Sequence, residues 1–260
     1  MKKISLLLAL SLLICLCGCS KPANADQLET IKKNNKMIVA MEGCWSPWTY
    51  HDEVTDELVG YDVEVSKEIA KILGVEVEFV EADFGGLLAG MDSKRYDIVV
   101  NGIDVNEERK EKYDFSQPYI YGNTALIVRT DNEDIKSFED LNGVSTCNSL
   151  GSSYAAVAEE CGANVSIVPT LAETFELVIR GTCAATLNAE ASYKEYMAAH
   201  PDAPLKIVYL ETTDVAIPFR KGTESESFRL AVDDAIKQLR ENGKLAELSI
   251  KYFGLDLTNK

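Results

Sequence analysis

The stretch DIVVNGIDVNEERKEKYDFSQPY, Asp97 to Tyr119, sets the reading of the chain. Ile98, Val99 and Val100 form a continuous apolar run, the pattern of a strand covered on both faces, and Asn101-Gly102 ends it where the backbone must turn. Asn106-Glu107-Glu108-Arg109 then reads as a helix start, with Asn106 as cap and acids in the first turn. That order sets the Arg109 guanidinium near the carboxyl end of a strand, the rim at which open α/β sheets hold ligands. The plain alternative is a surface arginine paired with Glu107 or Glu111.

Outward from this stretch the chain alternates strand and helix. Before it, Met37 to Met41 is a short apolar strand, and Glu42 to Trp48 is a loop carrying both tryptophans. Tyr61 to Leu73 places Val65, Ile69, Ile72 and Leu73 on one helical face, with Asp62 as the expected cap and Gly74 as the stop. Val75 to Val80 alternates apolar and acidic residues as a half-exposed strand does, and a short helix from about Gly86 to Ser93 follows. After the stretch, Thr124–Arg129 is a strand, and a second alternating unit runs from Val144 to Asn188. Its helices are Ser153–Glu160 and Leu171–Arg180. Ile207–Leu210 and Val215–Phe219 read as a return strand, and Glu226 to Tyr252 as helix broken at Asn242-Gly243. Two βαβ units require parallel sheets faced by helices. Periodicity alone fits a single doubly wound sheet as well as two lobes joined by extended segments near 122–130 and 207–219.

With GYDVEVSKEIAKILG (Gly60 to Gly74) before it and YDFSQPY at its end, the opening stretch resembles the polar amino-acid (family 3) solute-binding proteins of bacterial ABC importers. The resemblance covers roughly Lys36 to Gly254 and rests on the order and spacing of the motifs together. It implies the α/β fold of the type II periplasmic binding proteins: two α/β lobes joined by a two-strand hinge, the first lobe discontinuous. The expected division is residues 36–124 with 215–260 in lobe 1 and 125–214 in lobe 2.

The N-terminus points to export. Lys2 and Lys3 precede an apolar run from Ile4 to Leu16, too short to span a bilayer and typical of a secretory signal. Leu16-Cys17-Gly18-Cys19 looks like a bacterial lipobox, so residues 1–18 are expected as a lipoprotein signal peptide, Cys19 as the lipidated residue, and 19–35 as lipidated N-terminus and tether. An ordinary cleaved signal with an incidental cysteine is the alternative. Removal of residues 1–18 takes two lysines and no acid, moving the formal charge from −16 to −18. Such an acidic surface argues against nucleic acid and against electrostatic attachment to anionic lipid, leaving the lipid anchor as the membrane contact. Cys44, Cys147, Cys161 and Cys183 show no CxxC or zinc spacing, and no metal or cofactor is expected. A Cys147–Cys183 disulfide and four free thiols both fit the sequence.

The resemblance also assigns a site. An amino acid presents a carboxylate, an ammonium and a side chain. Arg109 matches the family arginine that grips the carboxylate in bidentate fashion. Leu150-Gly151-Ser152-Ser153-Tyr154 is a Gly-Ser turn opening a helix, whose free N–H groups favour an anion; Ser152 or Ser153 equally serves as that helix's cap. Trp45 and Phe84 match aromatic positions that sandwich the ligand, with Trp48 nearby and Gly102 at the turn of the same rim. Glu42 matches an acidic position at the far end of the pocket. Two departures matter. The position five before the arginine, Ser or Thr in much of the family, is Asp104, and the family's ammonium-binding aspartate falls on Ala189. Asp104, or Glu190 one place along, is expected to take over the ammonium, since leaving it unpaired in a closed cleft would cost several kcal/mol.

No GxSxG, P-loop or GxGxxG stands where a strand meets a helix, and His51 and His200 lie in polar loops. With no catalytic set in the sequence, the resemblance implies a non-enzymatic, monomeric, lipid-anchored receptor on the outer face of the membrane. It would capture a polar amino acid, cystine or cysteine favoured, and pass it to an ABC permease. The alternative is a secreted prephenate or arogenate dehydratase on the same fold, with Glu42, Asp104 or Glu190 as general acid.

Overall fold

The computed structural model describes residues 26–259. The signal peptide, Cys19 and the first part of the expected tether lie outside the described residues.

Of the four sheets among the described residues, two form the centres of separate lobes, which excludes the single doubly wound sheet. In the first lobe the parallel order is Glu76–Glu81, Lys36–Met41, Ile98–Val99. The central strand is apolar and its ends are anchored in register from Lys36 opposite Glu76 to Met41 opposite Glu81. The Ile98–Val99 strand is short because Asn101-Gly102 turns the backbone, Gly102 having φ +55°. The Tyr61–Leu73 helix packs its Val65 and Ile69 side into the core, and Gly74 ends it in the left-handed conformation.

In the second lobe the strand order is Asn164–Ile167, Ser145–Asn148, Ala185–Ala189, Ile120–Arg129, Leu205–Val215. The first three run parallel, and Ile120–Arg129 is antiparallel to both its neighbours, Ala185–Ala189 and Leu205–Val215. The pair Ile120–Arg129 and Leu205–Val215 is longer than the sequence pattern indicates. It is paired from Leu205 opposite Arg129 to Val215 opposite Ile120, with one irregularity between Ile207 and Tyr209. These two strands leave the second sheet and run into the first lobe, forming the hinge. They are the extended segments read near 122–130 and 207–219; the polar run Glu211 to Asp214 hid only the continuity of the second, because a hinge strand exposed to water carries no apolar run. Helix Glu190–Ala199, also missed, buries little beyond Ser192 and so lacks a strong apolar stripe.

Helices Thr223–Glu241 and Lys244–Phe253 return to the first lobe, where Phe228, Val232, Leu245 and Leu248 join Val63, Val65 and Ile69 in one core. The second lobe has its own apolar clusters around Leu126, Val128 and Leu187 on one side of its sheet, and Ile127, Cys147 and Phe175 on the other.

Two expectations are corrected. From Gln27 onward the segment expected as tether is a helix, Gln27–Asn34, capped by Asp26 and docked by buried Ile31 and by a Gln27 Nε2 bond to the Asp97 carbonyl (3.0 Å). Asp62 does not cap its helix: Gly60 holds the cap position, and the Asp62 side chain is buried inside the protein. All four cysteines in the described part are free thiols, Cys147 and Cys183 buried.

Candidate functional site

The rims of the two lobes face one another across a cleft lined by Glu42, Cys44, Trp45, Phe84, Gly102, Asp104 and Arg109 from the first. Asn148, Ser149, Ser152, Ser153, Tyr154 and Asn188 line it from the second. The cavity between them measures about 40 Å³, so the lobes are drawn together. Ser46 Oγ donates to Glu195 Oε1 (2.6 Å), Arg109 Nη2 to the Gly151 carbonyl (3.3 Å) and Ser153 Oγ to the Asp104 carboxylate, each from one lobe to the other.

Arg109 stands in the short helix Glu107–Lys112, whose Asn106 cap accepts from the Arg109 backbone N–H at 2.8 Å. The helix start therefore fixes the residue that carries the guanidinium. That group is 6% exposed, donates Nη1 to the Asp104 carbonyl at 2.9 Å, and lies 5.9 Å from the Phe84 ring centroid. Among the described residues it enters no ion pair, so the surface pairing with Glu107 or Glu111 does not occur; those acids face solvent, Glu107 bound to Lys110. Burial presses the Arg109 pKa below its ordinary value, with the Asp104 charge opposing. A buried guanidinium held by neutral carbonyls has N–H donors to spare for a carboxylate.

Asp104 is equally buried. Burial raises its pKa, while the Ser153 hydroxyl and the Arg109 charge pull it back. Glu42 is raised in the same way by burial, despite the 2.8 Å bond from Asn101 Nδ2. Asn101 also accepts from the Glu42 backbone N–H (2.8 Å), so a residue read only as a turn positions the acid. The Cys44 thiol is pushed up to about 11 by burial and by the Glu42, Asp83 and Glu81 charges, and stays protonated at neutral pH.

In the Gly-Ser turn the two serines divide the work. Ser152 Oγ accepts from the Ala155 N–H (3.1 Å) as the cap, which leaves Ser153 Oγ free to reach Asp104. Trp45 lines the cleft and stacks on Trp48, ring centroids 5.2 Å apart, whereas Trp48 lies behind it in the core against Tyr61 and Phe253. Glu190 does not line the cleft. It accepts from Asn123 Nδ2 at 2.8 Å and pairs with Lys194 at 2.6 Å. Sequence reasoning missed Cys44, Asn148, Ser149 and Asn188, and had Tyr154 only as the end of the Gly-Ser turn. Asn148 Nδ2 donates to the Leu187 carbonyl (2.6 Å), and its Oδ1 is a buried acceptor without a partner. Strand-end asparagines carry no sequence signal beyond their place at the same rim. Among the described residues no group of three metal-ligating side chains comes together, and no helix is long and apolar enough to cross a membrane.

Two hinged α/β lobes closed over a small polar cleft, with a buried cation and two raised carboxylates inside it, define a protein that takes up a small charged solute. The chain belongs to the bacterial extracellular solute-binding proteins, family 3, whose model matches residues 37–255. The L-cystine-binding protein TcyA of Bacillus subtilis (strain 168) is 35% identical, the match covering 90% of this chain and 87% of that one. A probable amino-acid ABC transporter-binding protein of Haemophilus influenzae is 34% identical over 88% and 89%. Among solved structures, an ancestral arginine-binding protein bound to arginine matches with TM-score 0.77 and 32% identity, covering 85% of this chain and 99% of that one. The L-cystine solute receptor of Neisseria gonorrhoeae, unliganded and open, matches with TM-score 0.59 and 33% identity over 90% and 99%. At nearly equal identity the arginine-bound form superposes better than the open one, in keeping with the contacts that bridge the lobes here.

Proposed function

We propose that this protein is the extracytoplasmic substrate-binding component of an amino-acid ABC importer, capturing a polar amino acid by hinge closure and delivering it to a membrane permease. The observation that carries the reading is Arg109, a buried cation in no ion pair among the described residues, set near a buried carboxylate at a hinged cleft. The ligand's carboxylate binds Arg109 and the Gly151–Ser153 turn. Its ammonium binds Asp104, assisted by the unpartnered Asn148 Oδ1. Trp45 and Phe84 bracket its aliphatic part over Gly102, and Glu42 meets the far end of its side chain. Glu190 supports helix Glu190–Ala199 through Asn123 and Lys194, so the ammonium falls to Asp104. Trp48 backs Trp45, and Ser152 holds its helix start.

The functional lobes are residues 36–124 with 215–260, and 125–214, with helix Gln27–Asn34 added to the first. Residues 1–18 direct export, and Cys19 carries the lipid that holds a monomeric receptor on the outer face of the membrane. The role is binding rather than catalysis: the relatives reported above are named as binding proteins and receptors, none of them as a dehydratase. Cystine or cysteine is favoured by the likeness to cystine-binding relatives.

A thermal-shift screen of the common amino acids with cystine, prephenate and arogenate tests the reading, because a true ligand raises the melting point by mass action. A polar amino acid is expected to raise it. Turnover of prephenate or arogenate, or no response to any amino acid, overturns it.

A further inference from the structure

Beneath the cleft lies an acid that the binding scheme does not use. Asp62 occupies the first turn of the Tyr61–Leu73 helix and is 0% exposed. Its Oδ2 accepts from the Gly102 backbone N–H at 2.6 Å, and its Oδ1 from the Tyr119 hydroxyl at 2.7 Å. Gly102 lines the cleft, and a Cβ built on it would meet the Trp45 ring at 2.6 Å, so the two are in close contact. Tyr119 immediately precedes the hinge strand Ile120–Arg129, and its backbone N–H donates to the carbonyl of Val215, the last residue of the other hinge strand, at 3.0 Å. Val215 in turn bridges Asp104. The Asp62 carboxylate therefore closes a ring that runs from the cleft floor through Asp104 and both hinge strands and back through Tyr119.

We infer that Asp62 is a positioning residue that ties the cleft floor at Gly102 to the hinge at Tyr119, so that protonating its carboxyl loosens the site. This rests on the proposed binding site. Both bonds are charge-assisted when the carboxylate is ionised and fall to neutral strength when it is protonated. Burial raises the Asp62 pKa to about 7, with Tyr119 and the Gly102 N–H holding it down. The groups facing it are few. Tyr61 on its own helix is stacked on Tyr119, its hydroxyl donating to the Tyr119 carbonyl at 3.3 Å. Arg240 and Asp256 act on Tyr61 from behind. Asp62 enters no ion pair among the described residues. The helix N-terminus and two donors thus stabilise the anion in place of a cation.

The test needs no ligand for its first arm. Trp45 and Trp48 are the chain's two tryptophans, and both adjoin Gly102. Intrinsic fluorescence of the full mature protein, titrated from about pH 5.5 to 8.5, is expected to show a transition centred near 7. Asp62→Asn should abolish it. Tyr119→Phe, which removes one donor to the anion, should move the midpoint upward by roughly one pH unit, and it keeps the test decisive should Asp62→Asn fail to fold. The second arm measures binding of L-cystine and L-arginine by titration calorimetry. Wild-type affinity should fall about tenfold from pH 8 to pH 6 as one proton is taken up, whereas Asp62→Asn should lose affinity at pH 8 and show a smaller slope, that left by Asp104. A flat wild-type fluorescence titration, or an unaltered transition in Asp62→Asn, overturns the inference. If no amino acid of the thermal-shift screen binds, the proposed function fails, while the fluorescence arm still judges the role of Asp62.

Discussion

Arg109 of one lobe and Gly151 of the other meet across the cleft, the guanidinium Nη2 donating to the Gly151 carbonyl at 3.3 Å. The contact is long for a charge-assisted bond and takes one branch of the fork, the other branch being held by the Asp104 carbonyl at 2.9 Å. A ligand carboxylate is the better acceptor for these donors, and the Gly151–Ser153 turn supplies the opposing N–H groups. Closure and ligand capture therefore draw on the same residues.

Arg109→Ala should lower amino-acid affinity by about 3 kcal/mol, roughly 100-fold, since it removes the one cation in the cleft. Arg109→Lys should recover only a small part, lacking the planar fork. Calorimetry with the ligand found by thermal shift measures both. Because the guanidinium is buried and enters no ion pair among the described residues, neither change should lower the melting point by much.

Asp104 and Glu190 are separated by a matched pair of variants. Asp104→Ser should weaken binding by about 3 kcal/mol, because the ligand ammonium then lies buried without its counter-charge. Glu190→Gln should stay within about twofold of wild type, its partners Asn123 and Lys194 lying outside the cleft lining. Equal losses in both would return the ammonium to Glu190. The pH dependence has a definite sign. Burial raises the Asp104 carboxyl, so the free protein bears a charge it would rather neutralise, and stability from this group is lost as pH rises through its folded pKa. Binding runs the other way and weakens as pH falls. Asp104→Asn should consequently raise the melting point at neutral pH while abolishing the ligand response.

Gly102→Ala tests the floor of the cleft. Gly102 has φ +55°, and the added Cβ would lie 2.6 Å from the Trp45 ring. Strain and overpacking together should cost about 2–4 kcal/mol of stability, visible in urea unfolding, and the displaced Trp45 should lower affinity as well. Gly143→Ala, also at positive φ but with nothing near the new Cβ, is the control and should show the smaller loss.

The residues that repeat with a helix or strand period, or that end an element, were legible in the sequence. Tyr61–Leu73 and Ser153–Glu160 fall where an apolar face and a stop define them, and Arg109 was found because the Asn106 cap fixes its helix. What stayed hidden has a common cause. The hinge segment near 207–219 was read as extended, but its polar run Glu211 to Asp214 hid the unbroken strand Leu205–Val215, and Asn148 and Asn188 are single polar residues at strand ends, with no period to give them away. Asp62 was misread because an acid in a helix's first turn normally faces water; nothing local announces that Gly102 and Tyr119, 40 and 57 residues away, converge on it.

Asp62 separates stability from function most sharply. Its carboxyl is raised from 3.8 to about 7, so between those values the folded protein binds a proton that the unfolded chain has released. Stability from this group is therefore full below the unfolded value and declines as pH rises toward 7, where the buried anion weighs a few kcal/mol against the fold. Asp62→Asn removes that charge. It should raise the stability to urea unfolding at pH 8 by about 2 kcal/mol, after allowing for an amide that satisfies only one of the two donors. At pH 4 the difference should vanish or reverse. A residue serving the fold alone would lose stability and binding together; here stability is expected to rise at pH 8 while affinity drops. A destabilised variant at pH 8 would mean that the two charge-assisted bonds outweigh the burial of the anion.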